Sequence, residues 1–222
     1  MANFLLKKSY HINNLKILKF NDLWGSHGVF TTIRLIGKPG KLVLFNNHFK
    51  NLISSLKKYK IYSKHVEDNI KTLIRTNIRN NLKYNHLFRI ALTKKLISIS
   101  IRKRTKPSNN FELKVLNYKR TDPKFKNLKY KYILKKLNSY DAAKVDILLV
   151  HKNKILETCT SNLLLIRNNK YYSPKNNCYI GNTINYLNKK VKINFKDINL
   201  KDIHKFEEIL LIGSGKGVTP VK

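Results

Sequence analysis

Between residues 65 and 82, Val66, Ile70, Leu73, Ile74, Ile78 and Leu82 recur at three- and four-residue spacing, and this one-sided helix restricts the fold more than any other feature. Only one face is apolar, so the helix needs a partner surface to cover that face. The flanking segments read as strands that can supply one. Val29 to Ile36 and Leu42 to Phe45 are β-branched and aromatic runs separated by Gly37-Lys38-Pro39-Gly40, a hairpin signature. Residues 48 to 58 carry Leu52, Ile53 and Leu56 at helical spacing, and strands are expected at Leu87 to Leu92 and Leu96 to Ile101. Arg102 to Asn110, with Pro107-Ser108-Asn109-Asn110, is the best linker. Beyond it the pattern restarts with a strand at Phe111 to Tyr118 and a helix from about Tyr130 to Ala143. Apolar runs at Ile147 to Val150 and Leu163 to Ile166 follow, then a short helix after Gly181 and a last strand at Glu208 to Ile212. Strands and helices mix in both halves without an internal repeat. The expected fold class is α+β, in two mixed α/β domains, residues 1–106 and 107–222, sharing a cleft.

A chain of 222 residues, 42% of them hydrophobic, can bury cores of that size. Its charge is extreme: 46 Lys+Arg against 12 Asp+Glu, a net +34. Such a field attracts nucleic acid, anionic membranes and acidic small molecules. The excess is lysine rather than arginine, comes with many Asn and Ile, and is spread along the chain. That is the pattern of compositional drift, so nucleic-acid binding is expected to be non-specific only, and charge assigns no function. Cys159 and Cys178 are too few for a disulfide framework or a zinc site and point to a reducing cytosol. The seven His stand at no metal-ligand spacing, so no metal is expected. The apolar patch in Met1 to Lys8 is too short for a signal sequence and no stretch approaches a membrane span, which predicts a cytoplasmic protein without a membrane.

Gly213-Ser214-Gly215-Lys216-Gly217 follows an apolar strand. Successive backbone N–H groups in such a turn can cradle an anion, and Ser214 adds a hydroxyl, although a plain tight turn reads equally well. Taken in chain order, further segments become specific. Gly28-Val29-Phe30-Thr31-Thr32-Ile33-Arg34-Leu35 and His48-Phe49-Lys50-Asn51-Leu52 come first, then Asp122-Pro123-Lys124-Phe125-Lys126-Asn127-Leu128-Lys129. Ile155-Leu156-Glu157-Thr158-Cys159-Thr160-Ser161-Asn162-Leu163-Leu164 follows, then Tyr172-Ser173-Pro174, Gly181-Asn182-Thr183 and Gly213 to Val221. In this order the set resembles the fold-type IV pyridoxal-phosphate enzymes (class IV aminotransferases), from about residue 28 to residue 221. Their landmarks are G-x-F-x-T-x-R, H-x-x-R-L, N-P-x-x-x-G-L-K and V-x-E-x-x-x-x-N-L-F. The Phe30-Thr31-Thr32 form is similar to the aminodeoxychorismate lyase branch, whereas aminotransferases commonly carry Glu-Gly or Glu-Thr there.

The resemblance implies the architecture of the D-amino acid aminotransferase-like enzymes, with the cofactor lysine in the second domain, and pyridoxal 5'-phosphate as cofactor. It also implies a small-molecule substrate, aminodeoxychorismate, and a homodimer. Lys129 would hold the cofactor through its amine and carry protons at the substrate carbon; burial beside another cation would free that amine. Lys131 and Lys126 are the alternatives. Glu157 would face the pyridine nitrogen and keep it protonated. Thr183, Ser214 and Lys50 would serve the phosphate, and Thr32 would assist departure of the enolpyruvyl group. A branched-chain or D-amino acid aminotransferase is the rival within the family, and a basic nucleic-acid-binding protein the rival outside it. Departures are visible. The arginine of H-x-x-R-L is Asn51, the arginine after Gly181-Asn182-Thr183 is Ile184, and the substrate-gripping arginine loop is reduced to Thr93-Lys94-Lys95. The early acidic segment survives only as Asn21-Asp22 and Ser26-His27-Gly28. Lysines would stand in as point charges, without arginine's fork.

Overall fold

The computed structural model describes residues 3–222. They gather into two compact units, one through Arg104 together with Phe125–Lys129, the other Thr105–Lys124 together with Tyr130–Lys222.

The first unit contains β1 (Phe4–His11), β2 (Ile17–Leu18), β3 (Gly28–Gly37), β4 (Lys41–Leu42), α1 (Phe45–Lys58), α2 (Lys64–Asn77), β5 (Tyr84–Thr93) and β6 (Leu96–Lys103). Its sheet runs β2-β1-β6-β5-β3-β4, antiparallel throughout. Side chains alternate across a strand, so the register sorts them. Val29 and Leu35 lie on the face carrying Phe88, Ile90 and Leu92 of β5 and Ile97, Ile99 and Ile101 of β6. Leu52 and Leu56 of α1 and Val66, Ile70, Leu73 and Ile74 of α2 join them in one core. The opposite face carries Thr32, Arg34, Arg89, Ser98 and Ser100.

Ser63 caps α2 by accepting the Val66 N–H at 3.2 Å. The helix is shorter than its apolar stripe, because Ile78 turns extended; Ile78 and Leu82 still pack on the core from outside it. The second arm of the expected hairpin shrinks to two residues, and Phe45 opens α1 instead.

Residues 125–129 return to this unit although they lie beyond the linker. The Phe30 N–H donates to the Lys126 carbonyl at 2.9 Å, the Leu128 N–H to the Gly28 carbonyl at 2.9 Å, and the Gly25 N–H to the Leu128 carbonyl at 2.8 Å. The chain thereby adds a short bridge to the open edge of β3. Gly28 makes this possible for a steric reason: a Cβ there would lie 2.1 Å from the Leu92 carbonyl oxygen and 2.8 Å from Leu128 Cδ1. Gly28→Ala is therefore expected to destabilise the fold by about 2–3 kcal/mol, since backbone cannot yield as a flexible side chain can. Urea unfolding checks this, and a loss below about 0.5 kcal/mol would contradict the packing described.

The second unit contains β7 (Glu112–Asn117), α3 (Lys131–Leu137), β8 (Val145–His151), β9 (Lys154–Thr158), β10 (Asn162–Arg167), β11 (Lys170–Pro174), α4 (Asn182–Asn188), β12 (Ile193–Lys196), β13 (Ile198–Asn199), β14 (Glu208–Gly213) and β15 (Gly217–Val221). They form two sheets, β13-β9-β8-β7 and β12-β11-β10-β14-β15. Phe111, Leu148, Val150, Ile155, Leu163, Leu165, Ile198 and Leu211 draw on both sheets for one core. Leu164, Ile184, Ile193 and Ile212 form a second core under α4. α3 stops at Leu137 rather than near 143. Asn138, Ser139 and Asp141 offer the backbone local alternatives to the helix, and the Asp141 carboxylate accepts the Ala143 N–H at 2.9 Å.

The fold is mixed α and β, as the sequence periodicities require. A single cut after residue 106 leaves out the return of residues 125–129: Lys129, in the second half of the chain, belongs to the first unit. Among the described residues no helix is long and apolar enough to cross a membrane.

Candidate active site

Lys129 sits at the end of the docked segment. Leu128 and Asn127 are buried, and the Asn127 side chain accepts the Lys129 N–H at 3.1 Å. Upstream, Asp122 adopts φ 53°, a left-handed conformation that Asp and Asn tolerate better than most residues. The backbone leading into Lys129 is thus anchored. The lysine side chain itself is exposed, contrary to the burial expected of it; the anchors are buried instead. Lys126 is half-buried with its Nζ 5.4 Å from the Phe30 ring centroid, and Lys131 is exposed at the start of α3.

On β3, strand alternation gives the two threonines different surroundings. Thr31 is buried, with Oγ1 3.0 Å from Nδ1 of His48 on α1. Thr32 faces the other side of the sheet and stands opposite Arg89 of β5. The Arg89 guanidinium lies 3.9 Å from the Trp24 ring centroid and donates through Nη2 to the Asp22 carbonyl at 2.9 Å. Its Nε is buried with no hydrogen-bond partner among the described residues. Burial, and secondarily Arg102, pull its pKa down to about 10 against the opposing pull of Asp22. Lys50 is not gathered with Thr32. It lies on the solvent side of α1, two residues from the buried His48, and Asn51 beside it is half-buried.

His48 makes a measurable pH prediction. Burial, helped by the charge of Lys126, pulls its pKa down to about 4. Unfolded histidine takes its proton near pH 6.5, so between these values the unfolded state holds more protons and stability falls as pH drops. Between pH 7 and 4.5 the wild type is expected to lose about 2–3 kcal/mol more than His48→Gln, measured by urea unfolding at each pH. Equal losses in the two proteins would contradict a buried neutral imidazole.

In the second unit the short connection from β9 to β10, which passes the chain from one sheet to the other, carries Glu157 at one end and Asn162 at the other. Asp146 of β8, fully buried, accepts the Thr158 hydroxyl at 2.9 Å, the Thr160 hydroxyl, and the Ile147 N–H at 2.8 Å. The Thr158 N–H closes the turn onto the Ser161 carbonyl at 2.9 Å. Gly213 packs against this turn so closely that a Cβ there would lie 3.0 Å from the Ser161 hydroxyl. Asn162 reaches the other way. Its Nδ2 donates to the Tyr179 carbonyl at 2.5 Å, and its Oδ1 accepts the Gly181 N–H at 2.9 Å, which orients the start of α4. Half-buried Thr183 in that first turn and half-buried Ser214 after β14 thus both follow backbone held against the Glu157–Asn162 connection.

Glu157 is buried and paired. Its Oε1 accepts Arg120 Nε at 2.7 Å and the Tyr179 N–H at 3.3 Å, and Arg120 Nη2 stands 2.6 Å from the same oxygen. Arg120, Arg89 and Asp146 belong to none of the motifs read from the sequence. For Arg89 a signal existed: a cation between Phe88 and Ile90 must face away from the core they line. Ile184, the residue after Gly181-Asn182-Thr183, is fully buried in the core under α4. Both cysteines are buried and free.

A family model described as amino-transferase class IV matches residues 28–222. The chain belongs to that family. No curated protein matches it in sequence. Solved structures of the class IV fold are similar to it throughout. A branched-chain aminotransferase from Thermoproteus uzoniensis with norvaline is 16% identical, with 100% of this chain and 86% of that one covered at a TM-score of 0.76. A 4-amino-4-deoxychorismate lyase from Pseudomonas aeruginosa is 15% identical, with 98% and 90% covered at 0.75. The branched-chain amino acid aminotransferase of Escherichia coli is 16% identical, with 100% and 85% covered at 0.76. At these identities the likeness establishes the fold alone. Members of the class IV family use pyridoxal phosphate, and the donor set here fits that group chemically. The second unit offers a buried carboxylate with its own counter-cation, half-buried Thr183 and Ser214 beside the β9–β10 connection, and a glycine-bearing turn that a Cβ would obstruct; the first unit, taken by itself, offers a lysine on an anchored backbone.

Proposed function

We propose that the chain is an aminodeoxychorismate lyase, releasing 4-aminobenzoate and pyruvate in folate synthesis. The observation that carries this reading is Phe30-Thr31-Thr32. No carboxylate stands there, the Thr31 hydroxyl is taken up by His48, and the Thr32 hydroxyl stands opposite Arg89 on the other face. Bound pyridoxal phosphate supplies the electron sink for the pair released at the amine-bearing carbon. Lys129 binds the cofactor and takes the proton from that carbon. Thr32 donates a hydrogen bond to the enolpyruvyl oxygen as its bond to the ring breaks, so the aromatic amine and the enol of pyruvate leave without net oxidation. Arg89, a half-buried cation whose buried Nε has no partner among the described residues, suits a carboxylate of this doubly acidic substrate. Glu157 holds negative charge at the pyridine nitrogen. Thr183 and Ser214 donate to the phosphate, and Lys50 adds a point charge. The active form in this reading is a cytoplasmic homodimer.

The test is pyruvate release from aminodeoxychorismate with no 2-oxo acid present. A lyase regains its starting cofactor each turnover, whereas an aminotransferase waits for an acceptor. Thr32→Ala is expected to lower kcat by about 10-fold with little change in KM, the loss of one hydrogen bond of roughly 1.4 kcal/mol made in the transition state. Amino transfer from leucine or a D-amino acid to 2-oxoglutarate, without pyruvate from aminodeoxychorismate, would favour the aminotransferase reading, the activity named for two of the similar structures.

A further inference from the structure

Arg120 lies between β7 and the segment leading to Lys129, and its side chain is 2% exposed, against 6% for Glu157. Two buried charges pair at a net benefit only if the surrounding hydrogen bonds are completed, and here they are. Nε and Nη2 converge on Glu157 Oε1 at 2.7 and 2.6 Å, and Nη2 also donates to the Pro123 carbonyl at 2.9 Å. Pro123 belongs to the turn that delivers the chain toward Lys129. The same guanidinium lies 5.0 Å from the ring centroid of Tyr130, the residue immediately after Lys129. One planar fork therefore touches the carboxylate, the approach to the lysine, and the residue following it.

We infer that Arg120 is a positioning residue, which fixes the ionised Glu157 carboxylate toward the cofactor's pyridine nitrogen and ties it to the turn that presents Lys129. The inference rests on the role given to Glu157 above and is independent of which substrate the enzyme takes. A lysine at position 120 keeps the charge but loses the fork, because an ammonium cannot engage the carboxylate through two fixed N–H groups while also reaching Pro123. Removal of the charge altogether would leave the Glu157 carboxylate buried without a counter-ion, and the neutral acid, a poorer partner for a pyridinium, would be favoured.

The experiment is a double-mutant cycle on the full chain with Arg120→Lys, Glu157→Gln and the two combined, read with pyridoxal phosphate alone. Two quantities are followed: the Kd for the cofactor, and the pH at which the absorption band of the bound cofactor changes. Circular dichroism establishes that each protein is folded, and Arg120→Lys leaves the buried pair balanced in charge, so its Kd and transition pH stay readable even if Glu157→Gln, which leaves one net positive charge, is weak. Arg120→Lys is expected to weaken cofactor binding by about 10-fold or more and to shift the band's transition pH, as befits the loss of a charge-assisted hydrogen bond. In the Glu157→Gln background the same change is expected to alter Kd by no more than about twofold and to leave the transition pH in place. Equal effects in both backgrounds, or no effect in the wild-type background, would overturn the inference, as would a wild-type protein that takes up no pyridoxal phosphate. A completed cycle with no pyruvate from aminodeoxychorismate would instead overturn the proposed substrate and leave the role of Arg120 standing.

Discussion

Lys129→Ala is expected to abolish turnover, by about 10⁴-fold or more, because one amine serves both as the point of covalent attachment and as the proton carrier. The fold should survive, since Lys129 contributes an exposed side chain and the anchoring is done by Leu128 and Asn127. Borohydride reduction of wild-type protein loaded with pyridoxal phosphate should fix the label on the peptide containing Lys129. Lys126→Ala and Lys131→Ala should retain that label. A label that moves to Lys126 or Lys131, or a Lys129→Ala protein that still turns over at the wild-type rate, would remove Lys129 from the site.

Glu157→Gln should lower kcat by about 10²–10³-fold while the protein remains folded. Gln keeps the size of Glu and can still accept from the Arg120 fork, but it brings no negative charge to a pyridinium, and preorganised charge at such a position is worth that much in rate. The substitution also leaves Arg120 buried beside a neutral partner, at a cost of about 1–3 kcal/mol in urea unfolding. Steady-state kinetics and unfolding together separate the two effects. Full turnover with reduced stability would mean that Glu157 is a purely structural partner of Arg120.

What was legible in the sequence was what local pattern encodes. The stripes of α1 and α2 were visible because each buries one face against a single core, whereas β3, β5 and β6 were visible as runs of apolar and β-branched residues although burial in them is not confined to alternate positions. β1 escaped notice because its polarity and burial run opposite: Phe4 and Leu5 are exposed, while Ser9 is buried through a 2.8 Å hydrogen bond to Ser98. Helix ends were misplaced at Ile78, which turns extended while its stripe continues, and beyond Leu137, where Asn138, Ser139 and Asp141 offer the backbone local alternatives. Short ordered motifs put forward Lys129, Glu157, Thr32, Thr183, Ser214 and Lys50 as candidates, of which Lys50 lies on the solvent side of α1, away from Thr32. Arg120 and Asp146 lie in no such motif. Their significance lies in pairings 37 and 12 residues away along the chain, which no local window contains.

The return of residues 125–129 to the first unit bears on how the protein is made. As the chain emerges during synthesis, β1 to β6 can pair as soon as Lys103 has appeared, yet the edge of β3 stays unfinished. The Gly28 carbonyl and the Phe30 and Gly25 amides acquire these partners only when Lys126 and Leu128 arrive, after the whole linker and β7 have been synthesised. A fragment ending at Arg104 would therefore lack a staple that no earlier segment supplies, and should be more prone to edge-to-edge association than the full chain. Because the residue next to that staple is Lys129, the nascent protein cannot seal its first sheet without also setting its candidate lysine in place.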